Sequence, residues 1–159
     1  MLSNFGIIFS SITLVTSFIL IYFSFLELKI SDIKIPKKIY NFSLVQLIFS
    51  LLSFLILLIG YVFSDFSMIN VYENSHTTKP LFYKISGTWG NHEGSLLLWT
   101  NILVIFSFLF LILTKNKNKN FKILTLIFQN FLIATFFIFL LTIQIHFLQS
   151  FQFRVREWV

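Results

Sequence analysis

The chain contains no cysteine, so it forms no disulfide, holds no iron–sulfur centre or thiolate metal site, and offers no thiol nucleophile. Any thiol chemistry must come from a partner. Charge is scarce as well: 11% of the 159 residues are Asp, Glu, Lys or Arg, less than half the share in a typical soluble domain. With 57% hydrophobic residues and a mean hydropathy of +0.86, this is the composition of a membrane protein. Soluble enzyme classes find no support, since no phosphate-binding glycine loop, catalytic dyad or metal-ligand spacing occurs. No internal repeat is visible.

What charge there is sits beside apolar runs. The net charge of +6 therefore reads as a set of topology signals, and no nucleic-acid partner is expected. The 23 phenylalanines, with abundant Ile, Asn and Lys, fit an AT-rich coding sequence, so no single Phe counts as a functional signal.

Residues 5–26, 42–63, 95–113 and 123–147 are uncharged runs long enough to cross a hydrocarbon core as helices. The expected fold is an all-α integral membrane protein of four transmembrane helices forming one membrane domain over residues 1–159. The first run has no basic start and no small-residue cleavage site, so it is expected to stay in the mature protein. Lys29, Lys34, Lys37 and Lys38 follow the first run, and Lys115, Lys117, Lys119 and Lys122 follow the third. Residues 64–94 carry only Lys79 and Lys84, and the tail only Arg154 and Arg156. The positive-inside rule then places both termini and the loop 64–94 on the outer side, facing a periplasm or an intermembrane space. The Lys-Asn alternation at residues 115–120 reads as a short solvated turn. Asn101, Gln129, Asn130 and Gln144 should turn toward other helices, because lipid offers them no partner. No acidic residue falls inside a span, which argues against a proton pathway.

The informative segment is the end of the outer loop: Trp89-Gly90-Asn91-His92-Glu93-Gly94-Ser95, running into Leu96-Leu97-Leu98-Trp99. A helix starting near Asn91 would put Glu93 in its first turn, where the helix dipole favours a carboxylate, with Asn91 or Ser95 as cap. Gly90 and Gly94 permit close approach. At helical spacing Trp89, His92, Leu96 and Trp99 share one face. Such an aromatic wall suits a flat macrocycle, with His92 as axial ligand or propionate partner; it equally suits interfacial anchoring. A zinc-protease motif fails because Leu96 stands where a second His is needed, and no metal site is expected. His76 and His146 are expected on the same outer side.

These residues carry a resemblance. Asp65-Phe66-Ser67, Glu73-Asn74-Ser75, Pro80, Tyr83-Lys84, Trp89-Gly90, His92 to Ser95 and Leu96 to Trp99, with their spacing, resemble the N-terminal part of the CcmF family of cytochrome c maturation proteins. The resemblance implies a haem lyase (holocytochrome c synthase) system in a bacterial or mitochondrial inner membrane, with haem as cofactor. Implied partners are the remaining part of CcmF or a split CcmF subunit, a CcmH-type protein, a haem chaperone, apocytochrome c with its Cys-x-x-Cys-His motif, and membrane lipid. In the family a Trp-rich haem-binding signature and haem-ligating histidines lie beyond the region covered here, so catalytic residues stay unassigned. The segment Ser150 to Val159 departs from the family pattern, which implies a split subunit or a fragment, inactive alone. A non-catalytic scaffold subunit that docks partners through the loop is the competing expectation.

Overall fold

The computed structural model of the chain describes the backbone of residues 2–30, 35–114 and 118–157, and the side chains of residues 3–30, 35–114 and 118–143. Lys34, Lys115 and Lys117, and the side chains of Gln144, His146, Arg154 and Arg156, lie outside the described residues. Six helices follow one another: α1 (Leu2–Leu28), α2 (Lys37–Phe63), α3 (Ile69–Asn74), α4 (Leu81–Gly87), α5 (His92–Leu113) and α6 (Lys119–Glu157). Four of them, α1, α2, α5 and α6, are long and apolar enough to cross a membrane.

Each long helix outruns its uncharged run. Helical hydrogen bonding continues through flanking polar residues until a breaker intervenes. Pro36 and Pro80, whose fixed φ and missing N–H suit a helix start, immediately precede α2 and α4. α2 ends because Ser64 turns left-handed, with φ 54°, and its N–H returns to the carbonyls of Gly60 and Tyr61.

The long helices form an up-and-down bundle in which α1 packs on α2 and α6, and α5 packs on α2 and α6. Its interior mixes apolar clusters, such as Leu97, Val104, Ile133 and Phe137, with buried polar side chains, while its exterior is apolar. Buried positions recur every three or four residues in α2: Ile39, Ser43, Gln46, Ser50, Ser53 and Ile56. Small residues on this seam let backbones approach, and their hydroxyls bond across helices, as lipid-embedded packing favours. Ser10 and Ser53 share a 2.7 Å hydrogen bond. The Gln46 amide donates to Ser17 at 2.7 Å and to Asn130 at 2.9 Å, tying α1, α2 and α6 together near mid-span. Ser50 donates to Asn101 at 3.0 Å and adds α5. Phe18, Leu51, Phe106 and Phe128, by contrast, are exposed on the outside, where they meet lipid. The chain is an integral membrane protein.

One ion pair closes the end of the bundle that carries the lysines. Lys119 of α6 donates to Glu27 of α1 at 3.0 Å, with the two side chains only 6% and 16% exposed, and also to the carbonyl of Ile30 at 3.2 Å.

Candidate functional site

The opposite end of the bundle is covered by residues 64–91, which hold α3 and α4. The chain leaves α2 through an Asx turn: the Ser67 N–H donates to Asp65 Oδ1 at 3.1 Å. Hydrogen bonding from Ser67 holds the Asp65 carboxyl below its usual value.

A closed hydrogen-bond knot then fixes the start of α5. Asn91 is its N-cap, accepting from the Gly94 N–H at 2.6 Å. Because a backbone N–H can only donate, Asn91 Oδ1 must face Gly94 and its Nδ2 must face the other way. Nδ2 donates to the Tyr61 hydroxyl at 2.6 Å and to Asn70 Oδ1 at 3.0 Å. The Tyr61 hydroxyl in turn donates to Asn70 Oδ1 at 2.7 Å. Asn70 Nδ2 donates to Glu93 Oε2 at 2.6 Å and to Asn91 Oδ1 at 3.2 Å. Glu93, an acceptor in the first turn of α5, thus sits where the helix dipole favours it and orients the Asn70 amide. Tyr61 is fully buried (0% exposed), and its ring lies against Gly87, where an added Cβ would stand 3.1 Å from Tyr61 Cε1. A Cβ on Gly94 would overlap the carbonyl of Thr88, so no other residue fits there without moving the backbone.

The knot presents some of the motif residues and buries others. Gly94 is buried and Glu93 and Ser95 are half-buried, with Ser95 Oγ donating to the His92 carbonyl at 3.0 Å. His92 and Gly90 are exposed, Trp89 is 42% exposed and Trp99 is 65% exposed. His92, Leu96 and Trp99 lie on α5, which begins at His92, whereas Trp89 precedes it in the turn after α4. Trp89 therefore does not belong to the helical stripe that spacing alone suggested; the Asn91 cap breaks the register between them. Of the two candidate caps, Asn91 serves and Ser95 does not. Tyr61 and Asn70, the other half of the knot, carried no sequence signal: one reads as the apolar end of a span and the other as a loop residue.

Behind the knot lies a crevice of about 80 Å³, lined among others by Ser53, Leu57, Met68, Asn70, Glu93 and Leu97. A smaller crevice of about 30 Å³ shares Leu57, Asn70, Glu93 and Leu97 and reaches Leu140. Pockets that enclose drug-sized ligands measure about 300–1,000 Å³, so neither crevice can enclose a macrocycle. Among the described residues, no group of three or more His, Cys, Asp or Glu side chains is placed to hold a metal ion.

No family model matches the chain. Over 65 residues it is 60% identical to the cytochrome c-type biogenesis protein CycK of Bradyrhizobium diazoefficiens, a match covering 41% of this chain and 10% of that protein. It is 49% identical over 72 residues to the cytochrome c-type biogenesis protein ccl1 of Rhodobacter capsulatus, covering 45% of this chain and 10% of that protein. The cytochrome c-type biogenesis protein CcmF of Escherichia coli is 43% identical over 56 residues, covering 35% and 9%. Among solved structures, cytochrome c heme lyase CcmF shares the fold, with a TM-score of 0.77 at 23% identity over 86% of this chain and 23% of that one. The matched stretch spans about 10% of the length of these first curated relatives. The chain thus resembles the CcmF family, in sequence over part of its length and in fold over most of it.

Proposed function

We propose that the chain works in cytochrome c biogenesis as the N-terminal membrane module of a CcmF-type haem lyase. The observation that carries this reading is the 60% identity over 65 residues to a protein named for cytochrome c-type biogenesis. In this reading residues 64–94 face the outer side, where haem is joined to apocytochrome c, and the lysine-rich end faces inward.

The residues bear on haem in a limited way. The crevice is too small to enclose it, and the Glu93 carboxylate inside would repel propionates. Neither crevice among the described residues therefore encloses haem, and no step of attachment is routed through them. What the chain offers is a wall. His92 and Trp99, two turns apart on one face of α5, are exposed, as is Trp89 in the turn that precedes the helix. The Tyr61–Asn70–Asn91–Glu93 knot holds the start of α5 rigid. Haem, apocytochrome c, a CcmH-type protein or the haem chaperone would meet the wall from outside, and further spans of a longer or split CcmF would pack against Trp99 on the bundle surface.

Depleting the chain in its native host tests the reading. Haem covalently bound to c-type cytochromes should be lost while non-covalent haem proteins keep theirs; unchanged c-type cytochromes would overturn it.

A further inference from the structure

Three contacts fix the height of α4 against the bundle. Lys84 Nζ donates to Ser64 Oγ at 2.7 Å, at the residue that terminates α2. Gly87 rests on the ring of Tyr61, and its carbonyl accepts from Asn91 Nδ2 at 3.2 Å. Since α2 is a membrane span ending at Phe63, α4 lies at the level where the bundle leaves the hydrocarbon. At that level Leu81, Phe82 and Tyr83 all project outward, Phe82 being 77% exposed, with the Phe82 and Tyr83 rings edge to face at 6.1 Å. Phe63, the last residue of α2, is also 77% exposed.

We propose that α4 is an interfacial anchor, with Leu81, Phe82 and Tyr83 seated in the boundary between head groups and acyl chains of the leaflet nearest residues 64–94. The occupant of this face is lipid because Lys84 and Gly87 tie α4 to the end of the α2 span, whose last residue, Phe63, is itself an exposed apolar side chain like those the spans present to the bilayer. The side chains fit that depth: aromatic rings with an apolar body and a polar tip concentrate at membrane interfaces. Lys79, whose ammonium donates to the Asn74 carbonyl at 2.9 Å, adds a cation at head-group level that suits lipid phosphates. The anchor sets the depth of the Gly87–Asn91 turn, and with it the positions of Trp89 and His92, whatever those residues meet. It rests on the chain spanning a membrane and not on any role in haem chemistry.

The absence of native cysteine makes the test direct. Single variants Phe82→Cys and Tyr83→Cys of the full chain are spin-labelled in vesicles of phosphatidylcholine and phosphatidylglycerol, with Glu73→Cys and Phe106→Cys as water-facing and lipid-facing references. The accessibility ratio of oxygen to a soluble nickel chelate at 82 and 83 should exceed that at 73 several-fold and approach that at 106. A ratio equal to that at 73 overturns the proposal, and so does low accessibility to both reagents, which would mean a protein surface covers α4. If labelling disturbs the fold, Phe82→Trp in a chain with Trp89, Trp99 and Trp158 replaced by Phe reports the same depth. Its emission should be quenched by brominated lipid, and full quenching by aqueous iodide would overturn the proposal.

Discussion

Asn91 Nδ2 lies 2.6 Å from the Tyr61 hydroxyl across 30 residues of chain, and the same asparagine caps α5 through the Gly94 N–H. One side chain therefore sets both where α5 begins and how it stands against the end of α2. Whatever His92 and Trp89 do, they do from a platform fixed by this contact.

Asn91→Ala should accordingly cost more than an ordinary cap. Loss of the cap is worth about 1 kcal/mol, and the Tyr61 hydroxyl, which still donates to Asn70, loses the hydrogen bond it accepts from Asn91, adding about 0.5–1.5 kcal/mol. Thermal unfolding in detergent should shift down by several degrees, and amide exchange at residues 92–95 should quicken. An unchanged melting point would show that the knot carries little stability.

Gly94→Ala should be worse, because its methyl group collides with the backbone carbonyl of Thr88, and relief requires the backbone itself to move. Gly6→Ala is the control: its Cβ would stand 3.5 Å from Ile56 Cγ2, an ordinary contact. The yield of folded protein after membrane extraction should collapse for the first and hold for the second. Equal yields would contradict the close approach of α5 to the Thr88 turn.

The four membrane helices were legible in the sequence because uncharged runs of that length have few other uses. Asn101 and Asn130 also turn inward, 3% and 0% exposed, as the cost of an amide in lipid requires. The same reasoning applies to Gln46, the hub between α1, α2 and α6. The knot was out of reach for a different cause: Tyr61, Asn70 and Asn91 meet through tertiary packing, and no periodicity or local motif links them. Trp89 falls off the α5 stripe because the Asn91 cap interrupts the helix, which residue spacing does not reveal. α3 and α4, short and without their own apolar stripe, were not separable from loop.

A double-mutant cycle on Gln46→Ala and Asn130→Ala checks the mid-span layer. Hydrogen bonds between membrane helices are worth about 0.6–1.7 kcal/mol, and the cycle should return a coupling energy in that range by unfolding in mixed micelles. Simple additivity would mean that the 2.9 Å contact contributes no net pairing.

The central claim, that the exposed start of α5 serves cytochrome c biogenesis, is tested most directly by His92→Ala. His92 lies outside the knot, so the variant should reach the membrane at normal abundance, and haem covalently bound to c-type cytochromes, measured by its peroxidase activity in gels, should fall several-fold. Normal c-type cytochromes at normal abundance of the variant would contradict the account.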